Sequence, residues 1–261
     1  MTKDHGRFPF GEPIRDIVQT DTSPKPVFVL GVYSSAVHAK WVGPDGKQKI
    51  AALAVANEPY IFWRGDGVEA VISRVHVPTA AGKLEPANAA LNGPSGIALD
   101  DLFLNPLGFE RREAWLCDLV PHSCANPAQL RAIEREYVPI FKKLRLLEAT
   151  APPVPRELAS RSRVAEILDE LERSRAETLV LLGDEPIRWF LRHFSDAHKN
   201  LRSFGVASNE YGTPHSILIG SRLRQVIPLV HPRQAAALGS ASKEWTEIHR
   251  RWSTARHPKR S

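Results

Sequence analysis

Apolar residues in this chain gather into short runs. Residues 27–30 read Val-Phe-Val-Leu and stop at Gly31. Runs over 115–120, 178–182 and 226–230 have the same form. Each gives way to a polar turn: Pro121-His122-Ser123, Gly183-Asp184 and His231-Pro232. A short, mostly apolar run ending in a polar turn predicts a buried strand, as in a parallel sheet. Residues 216–219, split from 226–230 by Gly220-Ser221-Arg222, predict a hairpin or two adjoining strands. The small apolar stretch 49–56 follows the first turn and is placed to wall a site there.

Helical spacing fills the intervals. Pro94-Ser95 opens a helix through Leu104, with Leu99, Leu102 and Phe103 on its apolar face. Asn126-Pro127 starts a second, reaching about residue 147 and kinked at Pro139. A third covers about 156–173, after the stiff segment Ala151-Pro152-Pro153-Val154-Pro155. Asp184 caps a fourth, and a last runs from Pro232 to about Trp252. A short helix near 14–18 and an accessory strand within 68–77 complete the pattern. The expected class is α/β, with one mainly parallel sheet and one working edge.

Composition narrows the class. A chain of 261 residues suits one α/β domain with a full core, or at most two small ones. No run of about 18 apolar residues exists, and the first residues lack an apolar leader, so a cytoplasmic protein is expected. Cys117 and Cys124 are too few for a four-thiolate iron–sulfur site. They make one disulfide or, as fits a cytosolic protein, two reduced thiols. Of the net charge of +6, Arg250, Arg251, Arg256, Lys259 and Arg260 carry five, with no acid among the last dozen residues. That tail is either a solvated end or a sequence-independent phosphate contact. Neither Gly-x-Gly-x-x-Gly nor Gly-x-x-x-x-Gly-Lys-Ser/Thr occurs, which argues against a small-nucleotide-binding protein.

Ligands of parallel α/β sheets bind outside the carboxyl ends of the strands. Those ends carry Tyr33, Ser34, Ser35 and His38, then Asp118 and His122, then Asp184, then His231 and Arg233. A histidine, an acid and hydroxyls at one rim fit acid–base or electrostatic catalysis. Each also has a structural reading: His231 as a packed strand-end residue, Asp118 as a cap or ion-pair partner, and Tyr33, Ser34 and Ser35 as a plain turn. His38 and His122 read as surface or packing residues. The aromatic group Tyr60-Ile61-Phe62-Trp63 offers either a stacking face or core.

The order of these pieces resembles the uracil-DNA glycosylase superfamily, from Val27 to about Trp252. Gly31-Val32-Tyr33-Ser34-Ser35-Ala36 resembles its first motif, Ala52-Leu53-Ala54-Val55-Ala56 its Gly-Leu-Ala-Phe-Ser-like segment, and Pro94-Ser95 its Pro-Ser element. Cys117-Asp118-Leu119-Val120 resembles its Leu-Asn-Ala-Val strand, and His231-Pro232-Arg233 its His-Pro-Ser-like motif. The departures are specific: Tyr33 stands where the best-known subfamily has its catalytic Asp, Val55 where it stacks a Phe, Asp118 where an Asn reads uracil, and Ala235 where a Leu enters the base stack.

The resemblance implies a three-layer α/β/α sandwich around a central four-stranded, mainly parallel sheet. The resemblance spans a glycosylase-like domain (27–253); the Gly- and Pro-punctuated residues before it read as an arm (1–26) and the basic residues after it as a tail (254–261). The resemblance implies a monofunctional DNA N-glycosylase of base excision repair that flips uracil out of DNA, single- or double-stranded. The enzyme would be a cytoplasmic monomer needing no metal, no cofactor and no membrane. His231, Asp118 and Ser34 would be catalytic. Tyr33, Ser35, Val55, Pro94, Ser95 and Arg233 would bind substrate. His231 would steady the charge growing on uracil. Asp118 would either stay protonated and mimic Asn, or ionise and replace the missing acid. The alternative from another class is a non-catalytic DNA- or lesion-binding protein that kept the fold.

Overall fold

Val27, Phe28, Val29 and Leu30 are fully buried, as are Leu179 to Leu182. Strands with no solvent-facing side belong in the middle of a sheet, and these two pair in parallel, Val27 with Thr178 through Leu30 with Leu181. The computed structural model describes residues 3–207 and 209–256. Its strands and helices, in chain order, are β1 (Val27–Tyr33), β2 (Ala36–Val42), β3 (Gln48–Asn57), α1 (Val68–Ile72), β4 (Lys83–Pro86), α2 (Pro94–Ala98), α3 (Asn105–Leu107), β5 (Ala114–Val120), α4 (Pro127–Ala132), α5 (Val138–Leu144), α6 (Arg161–Ser174), β6 (Thr178–Leu182), α7 (Asp184–Trp189), β7 (His215–Ile219), β8 (Arg222–Leu229), α8 (Pro232–Ala235) and α9 (Lys243–Arg256).

The chain is α/β. A five-stranded sheet runs β5-β1-β6-β8-β7 and a three-stranded sheet runs β3-β2-β4. In the larger sheet β6 pairs β8 in parallel and β7 pairs β8 antiparallel, which makes the expected hairpin. The residues gather into two compact units, each drawn from three segments. One comprises Met1–Ile17, Tyr33–Pro94 and Pro121–Arg156; the other comprises Val18–Val32, Ser95–Val120 and Glu157–Ser261. The expected arm and tail boundaries do not coincide with these segments: the arm divides between the units at Ile17, and Thr254–Arg256 belong to α9. The rest of the tail, with Lys259 and Arg260, lies outside the described residues.

In the first unit, Val37, Ala39 and Trp41 of β2 are fully buried while His38 and Lys40 between them are not. That period-two face packs with Leu53 and Val55 of β3, Ile72 of α1, and Ile133 and Tyr137. Trp41 Nε1 donates to Ala81 O (2.8 Å), so its one polar atom is satisfied inside the core. Tyr137 Oη donates to Leu147 O (2.8 Å) and accepts from Phe10 N (2.9 Å).

In the second unit, α6 covers β5 with Val164, Ile167 and Leu171 inward. β5 is an edge strand, which exposes unpaired backbone groups. Arg163 reaches the backbone of this strand: Nη2 donates to Asp118 O (2.7 Å) and Nε to Leu119 O (3.1 Å). On the same strand Gln19 Oε1 accepts from Leu116 N (3.2 Å). Arg163→Ala removes both charge-assisted bonds and is expected to cost about 2–3 kcal/mol. Urea unfolding against the parent checks this; an unchanged midpoint contradicts it.

Several sequence expectations need correction. Gly31, Val32 and Tyr33 continue β1, so the turn is Ser34-Ser35 alone. The 68–77 strand is a helix: Val68, Val71, Ile72 and Val75 face one core at helical spacing. No helix forms near 14–18. The third helix starts at Arg161, because Ser160 caps it through Arg163 N. Asp184 does not cap α7 but is its first residue, and its Oδ1 accepts from Leu201 N (2.7 Å). The final helix breaks after α8, where Ala237 (φ 54°) and Gly239 (φ 65°) turn left-handed. The Pro139 kink takes the form of a π-helical stretch, Ile133–Tyr137, just ahead of the proline that cannot donate back.

Candidate functional site

β8 delivers His231. The strand ends at Leu229, and His231 is the N-cap of α8, with Pro232 at the first helical position. His231 Nδ1 accepts from Arg233 N (3.2 Å). A backbone N–H can only donate, so Nδ1 carries no proton and the neutral ring holds it on Nε2. Burial is the main cause that brings the His231 pKa down to about 4, with Arg233 adding repulsion. The ring is thus a neutral donor across the physiological range.

A buried relay holds this end of β8 from behind. Val230 N donates to Tyr211 Oη (2.9 Å), which lies 2.8 Å from His249 Nδ1. His249 Nε2 lies 3.0 Å from Leu102 O. A carbonyl only accepts, so Nε2 is the donor there and Nδ1 accepts from the Tyr211 hydroxyl. Burial lowers the His249 pKa to about 4 and raises that of Tyr211, which keeps both neutral. Gly183, at the end of β6, adjoins His231: its φ is +95°, and a Cβ there would stand 3.4 Å from His231 Cβ. The sequence pointed to His231 but not to Tyr211 or His249, which meet only in the fold.

Asp118 lies inside β5, two residues before the strand ends, rather than at its end. Trp115 Nε1 reaches Glu170 Oε2 (3.1 Å) and Cys117 Sγ meets Arg163 Nη2 (3.3 Å), so odd-numbered side chains face α6. Alternation turns Asp118 to the other face, where it is 4% exposed. β5 and β8 are three strand spacings apart, roughly 14 Å. Both cysteines are free thiols; burial drives the Cys117 thiol well above its ordinary pKa, which removes it as a nucleophile.

Tyr33, Ser34, Ser35, Val55 and Pro94 belong to the other unit. Ser34 is buried and its Oγ donates to Pro121 O (3.1 Å), while Ser123 Oγ donates to Ser35 O (2.6 Å). These bonds staple the turn after β1 to the segment after β5. Tyr33 is exposed. Val55 is fully buried in the core cluster, so it offers no face to a base. Trp63 is core as well, and Tyr60 Oη pairs with Asp66 Oδ2 at the surface (3.1 Å). Pro94 begins α2 and Ser95 is its second residue. His38 holds Asn92, whose side chain bonds both His38 backbone groups. His122 meets His5 and Asp16 in a cluster the sequence did not announce.

Compared with protein-family models and with curated proteins, the chain matches none. Among the described residues, no helix is long and apolar enough to cross a membrane.

Proposed function

We propose that this protein is a uracil-DNA glycosylase-like enzyme that hydrolyses the N-glycosidic bond of uracil in DNA. On this reading β5, β1, β6 and β8 are the superfamily's four-stranded centre, and β7 is an antiparallel addition. The observation that carries the reading is the tautomer and neutrality of His231. When the glycosidic bond breaks, its electron pair leaves with uracil and the sugar becomes oxocarbenium-like. A neutral Nε2–H aimed at a uracil oxygen stabilises that anion without first losing a proton. One such donor is worth about 3–4 kcal/mol. Asp118 sits at the matched uracil-reading position. If protonated, it accepts from N3–H and donates to O4 as Asn does; if ionised, it steadies the sugar cation. The base must first leave the stack, at a cost of a few kcal/mol.

Purified protein is incubated with uracil-containing oligonucleotides, single- and double-stranded, and abasic sites are cleaved with alkali. Scission of uracil DNA and not of thymine DNA supports the proposal. Binding without scission at stoichiometric protein favours the non-catalytic DNA-binding alternative, to which Tyr33 at the position of the missing acid also points. Asp118→Asn separates the two roles of Asp118. It retains most activity if Asp118 works protonated, and loses on the order of 10²-fold if Asp118 works ionised. Full activity of Asp118→Ala removes the residue from the site.

A further inference from the structure

From the geometry of His5, Asp16 and His122 we infer a binding site for one divalent transition-metal ion, of the Zn²⁺ or Fe²⁺ class. This inference does not rest on the glycosylase reading. The three residues belong to one compact unit, and backbone bonds bring them together. Ile14 N donates to Gly6 O (2.9 Å), which folds residues 5 and 16 toward each other. Ile17 N donates to Pro121 O (2.6 Å), which sets His122 beside Asp16. Ser34 Oγ on Pro121 O and Ser123 Oγ on Ser35 O hold that segment from its other side.

The donor atoms converge. His5 Nε2 lies 2.8 Å from Asp16 Oδ1, His122 Nδ1 lies 3.7 Å from the same oxygen, and all three atoms fall within 4.8 Å of one another. Ligand atoms around a tetrahedral metal at about 2.1 Å stand roughly 3.4 Å apart, between those two separations. His5 Nε2 and His122 Nδ1 are sealed from solvent, and both face the same Asp16 carboxylate oxygen. Two imidazole nitrogens converging on one carboxylate oxygen, out of contact with water, form a ready-made N,N,O donor set that a cation can occupy.

The rings stack at 3.8 Å with 17° between their planes. Both lone pairs reach a common point only when one ring turns about χ2, a soft torsion in histidine. Two neutral imidazoles and one carboxylate are the donor set of zinc and non-haem iron sites with open positions. Asp16 stands on the solvent side, its side chain one-third exposed, which leaves those positions to water or substrate. The bound ion also joins residues 5 and 16 to residue 122, so its binding energy adds to folding stability.

The experiment titrates Co²⁺ into chelator-stripped full-length protein, follows its visible d–d absorption and displaces it with Zn²⁺. One saturable site per chain is expected, with a rise in melting temperature on Zn²⁺ addition. Asp16→Asn and His122→Gln are each expected to weaken Co²⁺ binding by about 100-fold or more, the upper range for losing even an outer-shell partner. His193→Ala, at an exposed histidine of the other unit, leaves the affinity unchanged. Melting of each stripped variant shows that it folds, and either ligand variant alone suffices as a test. Absence of saturable Co²⁺ uptake by the parent protein overturns the proposal, as does parental affinity in a folded ligand variant.

Discussion

Replacing His231 by Ser is expected to slow uracil excision by 10²- to 10³-fold while moving the melting temperature little. Ser is chosen because His231 caps α8 through its Nδ1. Ser keeps a short acceptor for the helix N-terminus, whereas Ala would lose about 1 kcal/mol of capping and blur the comparison. What Ser lacks is a donor at the reach of Nε2. The loss should fall on kcat more than on KM, because the donor meets full negative charge only in the transition state. With a His231 pKa of about 4, the parent rate should show no loss from His231 protonation between pH 6 and 8. Steady-state excision by both proteins over that range measures this. Parental turnover in His231→Ser would remove the histidine from catalysis, and a large fall in melting temperature would mark it as packing.

Acid should destabilise the protein well before its carboxylates titrate. His231 and His249 have native pKa values of about 4, against an ordinary 6.5. Above pH 6.5 both are neutral in the folded and unfolded chain, so their contribution to stability is complete. As the pH falls from 6.5 toward 4, the unfolded chain takes up protons that the native state refuses, and stability declines. Below 4 the loss levels off. Each histidine is expected to cost about 3 kcal/mol across that window. His198 and His215, whose pKa values burial also lowers, act in the same direction. Urea unfolding at pH 7 and pH 4.5 measures the sum. His249→Gln should remove a large part of the pH dependence, since Gln can serve Tyr211 and Leu102 without titrating. Equal stability at the two pH values would contradict the buried-neutral assignment.

The sequence by itself determined the elements whose patterns are local. A short, mostly apolar run bounded by turn residues reads as a strand covered on both faces. Thus β1, β5, β6 and β8 were legible, and β6 matches to the residue. Asn126-Pro127 carries its own cap, and Asn126 Oδ1 does accept from Ala128 N and Gln129 N. His231 was legible for the same reason: a polar residue after an apolar run, next to a proline. Tertiary structure decided whatever depends on distant partners. Val55 looked available to a ligand because composition does not tell which face of β3 meets Trp41 and Tyr137. Residues 68–77 hold apolar residues that suit either period, and the core they pack against selected the helix. The relay from Val230 through Tyr211 and His249 to Leu102 spans well over a hundred residues of chain and has no local signature. The same holds for His5, Asp16 and His122. Their convergence depends on two backbone bonds, Ile14 N to Gly6 O and Ile17 N to Pro121 O, the second joining segments far apart in the chain. Periodicity reports which residues are covered. Which groups meet is set by the path of the chain, and that path is where the candidate chemistry lies.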